Sequence, residues 1–420
     1  MPAASTLTMA PRFLHAHATH PQADLALSLV WAQLESQGAA TMGATLGWCY
    51  LTEALAPHAE IILHGLRERL PGVAWVGGVG LGVLASGVEY IDEPALAVMV
   101  STLPSEDFRV YSGQQPLPSL PRVGLTALSM SSGVGFVPHV AQVHADAHTP
   151  DLQELITELA ARTRTGYLFG GLSTGRTRSL HLALDPLAEH GEQAQGVWSG
   201  GVSGVAFSDR VHLVSRVTQG CQPIGQARQI TAAERNVVYA LDGEPALNCL
   251  LRDLNLTASV TANGLPREAL PKVRATLAGL TDTASDLLEH RHTFGADTRV
   301  RHLVGLDPQR QGVAVSDLVE VGMQLAFCQR NVTAARRDLV RACAEIREEF
   351  DPQDGPSRTP AGAIYISCAG RGGPHFGGPN AEMQIIQHAL GDIPLVGMFA
   401  GGEIARHHLY GYTGVLTVWA

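Results

Sequence analysis

One order of elements recurs three times along the 420 residues, and it restricts the fold more than any single motif does. In the first stretch "ATLGWCYL" reads as a strand, and Leu55, Ala59, Ile62 and Leu66 follow at helical spacing. "PGVAWVGGVGLG" brings a second strand into glycines, ahead of the strand-like "SGVEYI" and "ALAVMVS". The second stretch opens on "RVGLTALSM", sets Leu152, Leu155, Ile156 and Leu159 on one helical face, and runs through "GYLFGGLSTG" into "SLHLAL" and "VSGVAF". The third holds "AGAIYISC", a helix with Met383, Ile386 and Leu390 inward, then "IPLVGMFAGGEI" and "GVLTVW".

A strand-helix-strand crossover makes parallel neighbours, whereas strands joined by short turns pair antiparallel. The expected fold is therefore α/β: mixed β-sheets with helices packed on their outer faces, built from repeated β-α-β-β units in two halves. The Gly/Pro turn in "CQPIGQARQ" divides the halves into 13–225 and 226–420. "DPQDGPSRTP" reads as a surface loop between a helix carrying Leu339, Cys343 and Ile346 and the last unit.

The glycines that end the second strand of each unit admit two readings. Gly77-Gly78 and Gly170-Gly171, with the Gly401-Gly402 pair of the third unit, either give positive φ or admit the close approach of a partner. Alternatively, they only make tight turns. Gly171-Leu-Ser173-Thr-Gly175 also fits G-x-S-x-G, but that nucleophile elbow needs a helix straight after the serine. "SLHLAL" alternates like a strand instead, so a hydrolase built on Ser173 is disfavoured.

Composition removes several classes. The chain is 45% hydrophobic and 16% charged, with no run of 18 apolar residues, so a soluble protein without membrane association is expected. The first residues lack a basic stretch followed by a continuous apolar run, and a cytoplasmic location is the default. The net charge of -10 is spread without a basic stripe, which argues against nucleic acid as a partner. Lys272 is the single lysine, so no P-loop can be built. Gly80-Leu-Gly82-Val-Leu-Ala85 resembles a dinucleotide fingerprint, but a strand rather than a helix follows it. The six cysteines show no C-x-x-C pair and read as reduced, mostly buried thiols.

The C-terminal run carries the densest chemistry. Cys368 ends a buried strand, Arg371 follows in a glycine loop, Asn380 can cap the helix that carries Glu382, and Glu403 follows the next strand. If neighbouring strands end together, these residues line one crevice, where ligands of open α/β sheets bind. Arg371 offers a bidentate clamp for a carboxylate, and Glu403 a counter-charge for an amine. The plainer alternative is an Arg371–Glu403 salt bridge over a core cysteine. A nucleophilic Cys368 would need an activating base.

"SCAGR", Glu382, "GMFAGGEI" and "GYTGVLTV" resemble the C-terminal half of the FIST domain. "VTQGCQPIGQARQIT", "LDGEPALNCLL" and "VGMQLAFCQRN" resemble its junction and middle, and "PGVAWVGGVGLGVLASGVEY" and "YLFGGLSTG" its N-terminal half, so the likeness spans about 13–419. The resemblance implies a sensory signal-transduction protein that binds a small ligand, often proposed to be an amino acid. It also implies a signalling partner in trans, since no output module is read beyond the FIST-like region. By the same analogy Gly77, Gly78, Gly170, Gly171, Cys368, Arg371, Glu382 and Glu403 are the binding or site-shaping candidates. Some members bind haem and sense nitric oxide, which makes haem a possible cofactor. A cysteine-dependent enzyme is the other alternative. His15 and His17 share a face if 13–18 form a strand, and "VHADAH" adds His144 and His148, but no third metal ligand is evident.

Overall fold

The computed structural model describes residues 10–120, 136–175, 178–186, 196–256, 269–282, 298–353 and 355–420. It has the expected α/β architecture of mixed sheets and helices. The chain forms two compact units: one comprises residues up to Val217 with Leu339–Leu409 and Thr413–Ala420, the other Thr218–Asp338 with Tyr410–Tyr412. The three repeats all lie in the first unit.

Each repeat opens with a buried strand of seven residues: Leu46–Thr52, Val140–Asp146 and Gly362–Cys368. The strand that opens the second repeat is thus Val140–Asp146, while "RVGLTALSM" lies outside the described residues. Helices Ala59–Arg69, Leu152–Ala161 and Ala381–Leu390 return the chain to the parallel strands Ala74–Gly80, Tyr167–Ser173 and Leu395–Ala400. The predicted inward residues Ile62, Leu66, Ile156, Leu159, Met383 and Ile386 are buried. Helix Ala23–Ser36, which the sequence reading did not separate, buries Ala26, Leu27, Val30 and Leu34 against the first sheet.

The parallel pairs explain the glycines. Gly77 stands opposite Cys49, Gly170 opposite Val143 and Gly397 opposite Tyr365, each partner being the fourth residue of its opening strand. A Cβ on Gly77 would lie 1.9 Å from the Cys49 carbonyl oxygen, on Gly170 1.9 Å from that of Val143, and on Gly397 1.7 Å from that of Tyr365. Gly77 and Gly170 also take φ of 149° and 147°, a region that side chains avoid. Close approach is therefore the operative reason at these positions, and the approaching group is the neighbouring strand's own backbone. In the third repeat the corresponding residue is Gly397, not the Gly401-Gly402 pair, which precedes the next strand.

A short strand follows each glycine strand and crosses to another repeat. Gly82–Ala85 pairs with Leu395–Ala400, His181–Leu184 with Ala74–Gly80, and Glu403–Arg406 with Tyr167–Ser173. The result is three six-stranded sheets, each completed by a neighbour's strand in cyclic order. The closing strands Ala95–Ser101, Val202–Phe207 and Thr413–Trp419 pair antiparallel with the opening strands. Aromatic rings from all three sheets meet: Trp419 contacts Trp48 at 5.3 Å, Phe207 at 5.8 Å and Phe169 at 6.1 Å between centroids. Such rings bury large apolar areas, so this junction ties the repeats together.

The second unit is a different structure. Six antiparallel strands, Gln324–Arg330, Arg228–Glu234, Val237–Leu241, Gly312–Val315, Arg299–Asp307 and Thr276–Thr281, close on themselves because the last pairs with the first. Closure removes open edges from the ladder. Helix Ala246–Asp253 packs into its core, and Arg228 holds Asp253 through two 2.7 Å bonds. No helix among the described residues is long and apolar enough to cross a membrane.

Gly170→Ala forces a side chain into the Val143 carbonyl and should cost about 3 kcal/mol or more. Gly72→Ala, with nothing within 4 Å of its Cβ, should be nearly neutral. Urea unfolding of both variants measures the contrast, and equal midpoints would refute this account of the strand pairs.

Candidate functional site

The third repeat ends its opening strand at Cys368, opposite Ala400. The chain then folds back: Ala369 N donates to Ala400 O (2.9 Å) and Arg371 N to Cys368 O (2.8 Å). This turn sends the Arg371 side chain inward, where it is fully buried. Its Nε donates to Glu382 Oε1 at 3.0 Å, and its guanidinium carbon lies 5.0 Å from the Phe376 ring centroid. A salt bridge therefore runs to Glu382 in the first turn of helix Ala381–Leu390, and the charge of Glu403 also acts on the guanidinium. Glu382 also accepts hydrogen bonds from Ser367 Oγ (3.1 and 3.0 Å) and from the Tyr365 hydroxyl.

Asn380 occupies the N-cap position in a left-handed conformation, but its side chain does not cap this helix. Its Oδ1 accepts from Glu89 N at 2.8 Å, and Glu89 does the capping. The Glu89 carboxylate accepts from Glu382 N (3.0 Å), Met383 N (3.4 Å) and Gly373 N (3.1 Å). A carboxylate there meets both free N–H groups and the positive end of the helix dipole. Glu89 belongs to strand Val88–Ile91, which the first repeat lends to the third. Sequence reasoning missed it because it lies almost three hundred positions from Glu382.

Glu403 begins strand Glu403–Arg406, opposite Gly171. It is fully buried. Oε2 accepts from Thr413 N (3.1 Å) and Thr413 Oγ1 (2.6 Å), while Oε1 has no hydrogen-bond partner among the described residues. Burial pushes its carboxyl up to about 8, against the pull of the Thr413 bonds, the Arg371 charge and a hydrogen bond with Cys368. Glu89 is raised as well, by burial and then by the charge of Glu382, in spite of its backbone bonds. For Arg371, burial opposes the charge, but Tyr365, Glu382 and Glu403 outweigh it and the guanidinium stays ionised. Cys368, Arg371, Glu382 and Glu403 are thus brought together, with one buried cation among three acids.

The remaining glycine candidates are packed against protein. A Cβ on Gly78 would meet Ser173 Oγ at 2.3 Å, and one on Gly171 would meet Ile366, Gly402 O and Ala400 at 2.7–3.0 Å. Ser173 itself is the buried last residue of strand Tyr167–Ser173, not the apex of a strand-to-helix elbow.

The repeat places related chemistry elsewhere. His181 stands opposite Gly78 as Glu403 stands opposite Gly171, and Val83 opposite Met398 fills the third such place. The last residues of the opening strands are Thr52, Asp146 and Cys368. His181 Nε2 donates to Gly200 O (3.1 Å), and its Nδ1 meets Ser203 Oγ (2.6 Å). Deeper in, Trp48 Nε1 donates to Gln142 Oε1 (2.7 Å), Gln142 Nε2 donates to the Tyr50 hydroxyl (2.9 Å), and that hydroxyl meets His144 Nε2 (3.0 Å). Burial and the neighbouring His181 hold His144 down to about 3, so it stays neutral.

His15 and His17 lie on one strand with rings stacked at 6.1 Å, and His17 Nδ1 is taken by the Tyr90 hydroxyl at 2.5 Å. A haem needs one axial histidine, and with its Nδ1 engaged by Tyr90, His17 could offer it Nε2 alone. His148 is largely exposed beside Asp146. No group of three or more His, Cys, Asp or Glu residues that could hold a metal ion occurs among the described residues.

Arg371→Ala leaves Glu382 buried without its counter-ion and should lower stability by about 3–5 kcal/mol in urea unfolding. Arg371→Lys should recover only part of this loss. The raised Glu403 binds its proton more tightly in the folded state, so its contribution to stability is present below about 4.5 and is lost as pH rises through about 8. Glu403→Gln should cancel that decline. If the two urea midpoints run parallel across this range, Glu403 is not the buried acid described.

Two family models match the chain in succession. The FIST N domain family matches residues 45–244, and the FIST C domain family matches residues 246–406. An uncharacterized protein of Mycobacterium tuberculosis is 30% identical over 372 residues, covering 85% of this chain and 86% of its own length. An uncharacterized protein of Mycobacterium bovis is 28% identical over 385 residues, covering 88% of each.

Proposed function

Because the chain belongs to the FIST family, we propose that it is a sensory protein that binds a small ligand at the Cys368–Glu403 strand end and signals to a partner in trans. FIST domains are associated with sensory signal transduction and small-ligand binding. The observation that carries the choice of place is Glu403: a fully buried carboxyl with one oxygen unpartnered, beside a half-buried cysteine at the end of a strand. Buried polar atoms are normally satisfied, and an orphaned one marks a place where a further group belongs.

The charges favour a particular ligand end. Arg371 is already engaged by Glu382, and Glu89 and Glu403 add two more acids. A ligand amine, such as that of an amino acid, would be matched to Glu403 better than a carboxylate would be to Arg371. Gly171, opposite Glu403, keeps that strand pair free of side-chain bulk, and Gly77, Gly78 and Gly170 shape the strands behind it. A group drawn to Glu403 or Arg371 also acts on Glu382 and Glu89. It thereby reaches helix Ala381–Leu390 and the lent strand Val88–Ile91, which supplies a route for a conformational signal.

Native mass spectrometry of freshly purified protein, followed by calorimetry with the free amino acids one by one, tests this. A retained small molecule or a measurable affinity is expected, with Glu403→Gln weakening it about tenfold or more, the scale of one charged hydrogen bond. A folded protein that retains nothing and gives no heat with any of them would sink the proposal.

A further inference from the structure

Five of the six cysteines, Cys49, Cys221, Cys249, Cys328 and Cys343, are buried, and Cys368 alone is half-buried. Burial pushes the thiols of Cys49 and Cys343 up to about 12 and that of Cys328 well above its ordinary value, which makes them poor nucleophiles. Cys368 has different neighbours. It neighbours Glu403, which it helps to hold ionised, and of that buried carboxyl Oε2 is fixed by Thr413 while Oε1 has no hydrogen-bond partner among the described residues. Arg371, three residues on, stays cationic within the same cluster.

We propose that Cys368 is a reactive thiol, that Glu403 takes its proton, and that this strand end captures a soft electrophile covalently. The inference deepens the ligand reading of the same strand end and rests on it for access to the thiol. Once Glu403 is ionised the two groups suit each other: a carboxyl at about 8 lies near the ordinary range of a thiol, so its carboxylate takes the thiol proton at little cost. The transfer leaves a thiolate beside a neutral acid, and the Arg371 cation balances the new charge. The thiolate sulfur then attacks carbon or sulfur. With an activated alkyl compound an S–C bond forms, and the leaving group departs with its electron pair. With a low-molecular-weight disulfide an S–S bond forms to one sulfur, and the other leaves as a thiolate that Glu403 can protonate. No external oxidant or reductant is needed in either case.

The full chain is treated under native conditions with limiting iodoacetamide, and in parallel with glutathione disulfide, and the modified cysteine is located by peptide mapping. Cys368 should react at least about tenfold faster than any other cysteine, and the fast phase should vanish in Cys368→Ser. Glu403→Gln, which keeps the side chain's shape, should slow it by about tenfold or more at pH about 8 and above, where the carboxylate is present. In the wild type the rate should rise as pH passes about 8 and Glu403 ionises, and the variant should lack that rise. Labelling of Cys368 no faster than of the buried thiols, or an unchanged rate in a folded Glu403→Gln, overturns the inference. Amino-acid binding that persists in Cys368→Ser would leave the ligand reading standing while this one failed. Fast, Glu403-dependent labelling without any retained amino acid would separate them the other way.

Discussion

The carbonyl oxygens of Cys49, Val143 and Tyr365 sit where a side chain on the facing strand would have to begin. That contact sets how closely each opening strand can lie against its parallel partner, and only glycine permits it. The three parallel pairs are thereby built alike. The short strands that follow, Gly82–Ala85, His181–Leu184 and Glu403–Arg406, then cross in cyclic order to complete a neighbour's sheet. Because each sheet needs a strand from another repeat, none is complete alone. The Trp48, Trp419, Phe169 and Phe207 cluster is the apolar counterpart of this mutual dependence.

The same construction makes the candidate site. Glu403 reaches Cys368 and Arg371 as a member of a strand lent to the second sheet, and Glu89 reaches helix Ala381–Leu390 on a strand lent by the first repeat. Buried acids are costly unless they are paired or protonated. Here Glu382 is paired with Arg371, Glu89 is held by backbone N–H groups, and burial favours the protonated form of Glu403. The three acids share one cation by taking three different environments.

Divergence among equivalent places is where the repeats differ in chemistry. Opposite the residue that follows Gly397, Gly77 or Gly170 stands Val83, His181 or Glu403, and the opening strands end in Thr52, Asp146 or Cys368. The first repeat is plain there. The second contributes the neutral imidazole of His144, which with Gln142 bonds across to Tyr50 of the first. The third combines an acid with a half-buried thiol.

Much of the framework could be read from the chain alone. Helical spacing of Ile62, Leu66, Ile156, Leu159, Met383 and Ile386 identified inward faces, and the strand-helix-strand order implied parallel pairs, because both are local periodicities. The gathering of Cys368, Arg371, Glu382 and Glu403 was legible for the same reason: they sit at strand ends and a helix start within one repeat. Other features were not legible. The exchange of strands between repeats, the partner of Arg371, the capping of a helix by Glu89, and the closed six-stranded barrel of the second unit all depend on residues distant in sequence. Local pattern fixes which way a side chain faces; only the folded chain decides what it faces, since that is set by the summed packing of many segments.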